Sequence, residues 1–127
     1  MLPTYHLVDT ENMPVDWINL INLTTDDHVL LFRLKDSNKN YVTLDDLVKI
    51  AQERIFIKII ECEHGKPKMN ALDFQLATWV GYLIGSNHAG AIKVYTNDTG
   101  FEPAVDFWKN KHVNVEIIKS ENKQLED

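Results

Sequence analysis

A single cysteine, Cys62, stands among the 127 residues, so no disulfide can form within the chain. Such cysteine use fits a reducing compartment. No apolar run approaches the roughly 20 residues needed to cross a bilayer. The first residues, MLPTYHLVDTEN, have no basic stretch leading into an apolar one, so no signal peptide is expected. Together these absences predict a soluble, cytoplasmic protein with no membrane partner. No G-x-G-x-x-G follows the first apolar run and no P-loop occurs, which weighs against dinucleotide and nucleoside-triphosphate binding. His6, His28, His88 and His112 show no metal-ligand spacing, and His64 reads as a loop residue. No repeat or low-complexity segment is visible. Excess positive charge is also missing: 13 Lys and Arg face 19 Asp and Glu, for a net charge of −6. Nucleic-acid binding usually relies on basic surface to displace counterions. An acidic chain can still bind RNA where its acids gather around divalent cations.

What is present is an ordinary globular composition, 44% hydrophobic and 25% charged, at a length that suits one domain with a real core. Residues 1–120 are expected to form that domain, with a polar tail over 121–127. Along the chain two periods alternate. Tyr5 to Val8 reads as a strand, and Pro14 to Leu23 as a short helix with Pro14 in its first turn. His28 to Leu34 reads as a second strand. Thr43 to Gln52 reads as a helix, with Thr43 and Asp46 close to a capping box. Ile55 to Cys62 is a third strand, and Asn70 to Ile84 a long helix closed by Gly85. Ala91 to Tyr95 is a fourth strand, Phe101 to Lys111 a helix, and Val113 to Ile118 a fifth strand. This alternation predicts an α/β fold: a three-layer, Rossmann-like arrangement with a five-stranded, mostly parallel sheet.

In such sheets ligands bind at the carboxyl ends of the strands, where strand order reverses. Asp9 follows the first strand, and Asp98 follows the fourth, in YTNDTGF. Asp73 lies in the first turn of the long helix, whose N-terminus emerges on the same edge. From Asp73 the helical stripe runs through Leu76, Ala77, Val80 and Ile84, all apolar, so Asp73 is expected on the core-facing side. An unpaired carboxylate there costs several kcal/mol (about 2–7 for an unbonded polar group); metal or substrate contact would account for it. Each acid also has a plain alternative: Asp73 as a helix-dipole complement, Asp9 as part of a polar loop, Asp98 as a turn former. Lys66 and Lys68 lie in the loop after the third strand, where they could contact phosphates or simply be solvated. Cys62 reads as a small buried residue, and the three tryptophans as packing or interface residues.

Three segments resemble a known family. HLVDTEN is similar to the first motif of NYN domains in the PIN-like nuclease superfamily. MNALDFQLATWVGYLIG looks like their central helix, and VYTNDTGFEPAVDFWKNKHVNVEII is similar to their last motif. The resemblance spans nearly the whole chain in the right order. It implies strand order 3-2-1-4-5 and a metal-dependent endoribonuclease acting on RNA, single-stranded by preference. It carries Asp9, Asp73 and Asp98 onto metal-binding, catalytic positions, Asn12 onto a polar helper position, and Thr96 onto the hydroxyl position before the last acid. Oxygen-only ligands suit Mg²⁺ or Mn²⁺. The chain departs from the pattern at Gly100, where many relatives carry a further acid; Glu102 and Glu11 are the candidates to substitute. The alternative is a weak or inactive PIN-like module that binds RNA or a protein. PIN-like domains often pair, so a homodimer is also allowed. A response-regulator receiver domain has similar architecture, but no aspartate ends the third strand as its chemistry requires.

Overall fold

The computed structural model describes residues 2–13, 17–22, 26–35, 56–63 and 71–120. Strands β1 (Thr4–Asp9), β2 (His28–Leu34), β3 (Phe56–Cys62), β4 (Ala91–Tyr95) and β5 (Val115–Ile118) form one sheet in the order β3-β2-β1-β4-β5. Every neighbouring pair is parallel. The described helices are α1 (Trp17–Leu20), α2 (Ala71–Gly85) and α3 (Glu102–Lys109), the last preceded by a 3-10 turn over Thr99–Phe101. The expected helix over 43–52, together with Pro14, Leu23, Ile55, Asn70, His64, Lys66, Lys68 and the tail 121–127, lies outside the described residues.

Parallel strands buried on both faces read as nearly continuous apolar runs, and HVLLFRL in β2 is such a run. Side chains alternate between the faces. Leu7, Leu30, Phe32, Ile92 and Val94 meet Leu76, Val80 and Leu83 of α2, with Val105 of α3. Val8, Val29, Leu31 and Tyr95 meet Met13 and Trp17 on the other face. The sheet is thus sandwiched between two apolar layers. Strand order reverses between β1 and β4, so their carboxyl ends flank the switch point.

Local chemistry explains where the elements differ from the sequence expectations. Asn87, not Gly85, closes α2: it adopts the left-handed region at φ 60°, while its N–H bonds Ile84 O at 3.1 Å and the His88 N–H bonds Leu83 O at 3.0 Å. This is a Schellman cap, in which Asn tolerates the position glycine usually takes. A second such cap ends α3, with His112 at φ 62° and the Val113 N–H on Trp108 O at 3.0 Å. Val113 is committed to that cap, so β5 begins at Val115 rather than Val113. At the other end, Asp98 accepts from the Gly100 N–H and starts a 3-10 turn, which delays α3 to Glu102.

Candidate active site

Asp9 is the last residue of β1, paired in register with Phe32 of β2, rather than the first residue after the strand. It is only 2% exposed. Its Oδ1 accepts the Asn12 N–H at 3.2 Å, and its Oδ2 accepts the Thr96 hydroxyl at 3.1 Å. Burial pushes its pKa up; the Asn12, Thr96 and Glu11 donors oppose that rise, and the charge of Asp98 adds to it. A carboxylate this buried is tolerated because both of its oxygens are hydrogen-bonded.

Thr96, fully buried just past β4, links two acids. Its hydroxyl donates to Asp9, and its oxygen accepts the Asp98 N–H at 3.1 Å. The Asp98 Oδ1 accepts the Gly100 N–H at 2.8 Å. A Cβ built on Gly100 would stand 3.1 Å from Asp98 Oδ1, so any side chain there would press on that acid. Glycine at the position the resemblance makes acidic therefore gives Asp98 a close backbone donor.

Asp73 lies in the first turn of α2, half-buried, and its neighbours are acids. Its pKa is pushed up to about 7 by burial first, then by a hydrogen bond with Asp98, and then by the charges of Asp9 and Asp98. A carboxyl–carboxylate hydrogen bond needs a shared proton, and burial and the neighbouring charges favour the protonated form of Asp73. The buried face of α2 runs through Leu72, Leu76, Val80 and Leu83. Asp73 therefore sits at the margin of that face instead of on its centre line. Ala77 and Ile84 flank the core, whereas Leu72 and Leu83 occupy the positions the stripe drawn from Asp73 left out. The marginal position is what leaves the carboxyl in contact with solvent and with the strand ends.

The remaining expected residues divide. Asn12 Oδ1 accepts the Asn97 N–H at 2.7 Å, tying the loop after β1 to the loop after β4. Glu11 is close enough to Cys62 for its charge to help raise that thiol, with burial and Asp9, to about 11; so high a value rules the cysteine out as a thiolate near neutral pH. Glu102 turns elsewhere: it is exposed and pairs with Lys119 at 3.1 Å, in a groove between α3 and β5. The sequence did not single out Asn97, whose Oδ1 accepts the Ser120 N–H at 2.8 Å and so fastens the end of β5 to the site. Its signal was its place in the polar run directly after β4. Nor did it single out Gln75, whose amide accepts the Glu63 N–H at 3.3 Å and donates to Glu63 O at 3.1 Å, joining the end of β3 to α2. No sequence pattern marks a partnership between a helix amide and a distant backbone.

Among the described residues, no three Asp, Glu, His or Cys side chains are gathered tightly enough to hold a metal ion as they stand. The hydrogen bonds give the reason: Asp9 is turned to Asn12 and Thr96, Asp98 to Gly100, and Asp73 to Asp98. In chemical type the set still fits a hard divalent cation, for it offers carboxylate oxygens, and the charge of Asp98 raises the pKa of both Asp9 and Asp73.

A parallel sheet in the order 3-2-1-4-5, with acids at its switch point, defines an α/β domain whose acidic side chains meet at the carboxyl edge. The model of the PIN domain matches residues 3–118, nearly the whole chain, and the chain belongs to the PIN domain family. No curated protein and no solved structure matches it. PIN domains are nucleases as a class and generally use divalent metals. No helix among the described residues is long and apolar enough to cross a membrane.

Proposed function

We propose that this chain is a metal-dependent endoribonuclease of the NYN branch, acting on single-stranded RNA in the cytoplasm. The observation that carries the proposal is Asp73, an acid at the carboxyl edge whose hydrogen-bond partner is a second acid and whose nearby charge is a third. Such a grouping costs stability and is tolerated at functional sites. HLVDTEN and VYTNDTGFEP, the motifs similar to NYN domains, support the branch.

Asp9 and Asp98 would hold the cation directly, and Asp73 would hold it or orient the attacking water. Bound there, Mg²⁺ or Mn²⁺ lowers the pKa of water and neutralises charge on the scissile phosphate. Thr96 keeps Asp9 and Asp98 in fixed relation through its two hydrogen bonds. Asn12 and Asn97 hold the two loops in register, so that the edge is formed before substrate arrives. With the cation bound, Asp73 would be the carboxylate placed to accept a proton from the attacking water. Mixed-sequence single-stranded RNA, labelled and incubated with Mn²⁺, should be cleaved internally and protected by chelator. Intact RNA under both conditions would leave the chain a PIN-like binding module.

A further inference from the structure

A phenylalanine follows Asp73 in the first turns of α2, and it is the most exposed large apolar side chain among the described residues. Phe74 is 69% exposed. Burying such a ring is favourable, and among the described residues no other ring stacks on it. It lines a cleft of about 390 Å³ together with Asp73, Ala77, Asp98, Pro103 and Ala104. The cleft is therefore polar where the two acids stand, and its other walls are apolar side chains. A nucleotide has the same division, a charged phosphate joined through its sugar to a flat apolar base. We propose that Phe74 is a stacking platform for the base next to the scissile phosphate of single-stranded RNA. The proposal rests on the nuclease reading above and goes beyond it by naming the side chain that grips the substrate.

Two features favour a base over a protein partner. The cleft is continuous with the acids, so its occupant must reach them and the cation they hold, which a phosphodiester does. The apolar part is small, and a single exposed ring is the element that sequence-tolerant single-strand binders use. Stacking tolerates every base because each has a π-face. Phe74 should therefore add affinity without selecting sequence. In this acidic chain, where general phosphate attraction is weak, its share of the binding should be large.

The test is binding of a fluorescent, mixed-sequence oligoribonucleotide by anisotropy, with Ca²⁺ in place of Mn²⁺, for the wild type, Phe74→Ala and Phe74→Trp. A second probe carries abasic nucleotides throughout. The expected result is about tenfold weaker binding for Phe74→Ala, the effect of one lost base stack, with Phe74→Trp close to the wild type. The abasic probe should bind the wild type and Phe74→Ala equally. Melting curves should coincide, since the ring is already in solvent. Equal affinity of the wild type and Phe74→Ala for the normal probe overturns the platform and leaves metal-dependent cleavage standing. Loss of self-association in Phe74→Ala, with RNA affinity unchanged, also overturns it and gives the face to a second copy of the chain. A Phe74-dependent, base-dependent affinity in a protein that never cleaves in Mn²⁺ upholds the platform and removes the nuclease activity. Absence of any RNA binding by the wild type overturns both.

Discussion

Two polar clusters, one buried and one half-buried, lie on opposite faces of the same sheet, and their charges are arranged in opposite ways. On the α1 face, His6 Nε2 stands 2.8 Å from Asp27 Oδ2, and His6 Nδ1 stands 2.8 Å from the Tyr95 hydroxyl. One tautomer satisfies the whole group: Nε2–H donates to Asp27, and Nδ1 accepts from Tyr95. Burial lowers the pKa of His6 against the pull of Asp27, so the imidazole is neutral at pH 7. On the α2 face, at the carboxyl edge, Asp73 has Asp98 as its partner and Asp9 as a further charge. The first cluster pairs each donor with an acceptor; the second sets acceptor against acceptor. A polar group in a core needs only the first arrangement to be stable. The proposed function accounts for the second: a divalent cation would have the right charge and ligand preference for it.

Substitutions should separate the two clusters. The largest effect is expected for Asp98→Asn, which keeps the side-chain shape and removes a proposed ligand. Cleavage of single-stranded RNA in Mn²⁺ should fall at least about 100-fold, about 2.7 kcal/mol in the transition state. His6→Gln, measured in the same assay, should retain wild-type cleavage per folded molecule. An equal loss in both would abolish the distinction drawn between the clusters.

Stability should respond the other way. His6→Ala leaves Asp27 and the Tyr95 hydroxyl buried without their partner and should cost about 3 kcal/mol in urea unfolding. Asp98→Asn in chelator should cost less than about 1 kcal/mol, since it also relieves repulsion. A His6→Ala chain as stable as the wild type would show that the pairing contributes nothing.

The pH dependences should carry opposite signs. Unfolded, Asp73 ionises near its ordinary value of 3.8, while in the folded chain it keeps its proton up to about 7. The folded state therefore holds the extra proton in that window, and stability falls as pH rises through it. His6 is depressed below 6.5, so the unfolded chain takes up a proton first as pH drops below 6.5, and stability falls as pH falls. In chelator, Asp73→Asn should flatten the loss between about pH 4 and pH 7, an effect on the order of 1 kcal/mol once solvent screening is allowed for. Unfolding midpoints across this range, compared for the wild type and Asp73→Asn, measure it. Parallel curves for the two proteins would mean that Asp73 titrates normally. Thr96→Val should cost about 1 kcal/mol of stability for the lost hydroxyl bond to Asp9, with a weaker Mn²⁺ response as Asp9 and Asp98 lose their common partner.

The parallel α/β sheet and the carboxyl-edge position of Asp9, Asp73 and Asp98 were legible because they follow from alternation, and the strand order was legible through the family resemblance. HVLLFRL can only be a strand buried on both faces, and an acid at the end of β1 can only reach the edge. Thr96 and Asn12 were legible through the family motifs. What was hidden depends on tertiary partners. The left-handed residues Asn87 and His112 took cap positions that glycine would have announced. Glu102 pairs with Lys119 because α3 starts one turn after Asp98, and a capping hydrogen bond from Gly100 to Asp98 sets that start. The His6–Asp27–Tyr95 group joins positions 21 and 89 residues apart in the chain, and no local pattern connects them. Asp73 fell on the correct edge but on the wrong part of the helix face, because a stripe drawn from any single residue fixes the period and not the phase.

The central claim is that the crowding of Asp73, Asp98 and Asp9 is arranged for a cation. Its most direct test is the melting temperature of the wild type and Asp73→Asn at pH 7.5, in chelator and in millimolar Mn²⁺. In chelator Asp73→Asn should melt at or above the wild-type temperature, because repulsion is relieved. Mn²⁺ at about 100 times its dissociation constant should stabilise the wild type by about 2.7 kcal/mol, a rise of several degrees. The same Mn²⁺ should shift Asp73→Asn much less. A wild-type melt that Mn²⁺ does not move, with Asp73→Asn melting lower than the wild type in chelator, would make Asp73 a stabilising helix-terminal acid and would contradict the account.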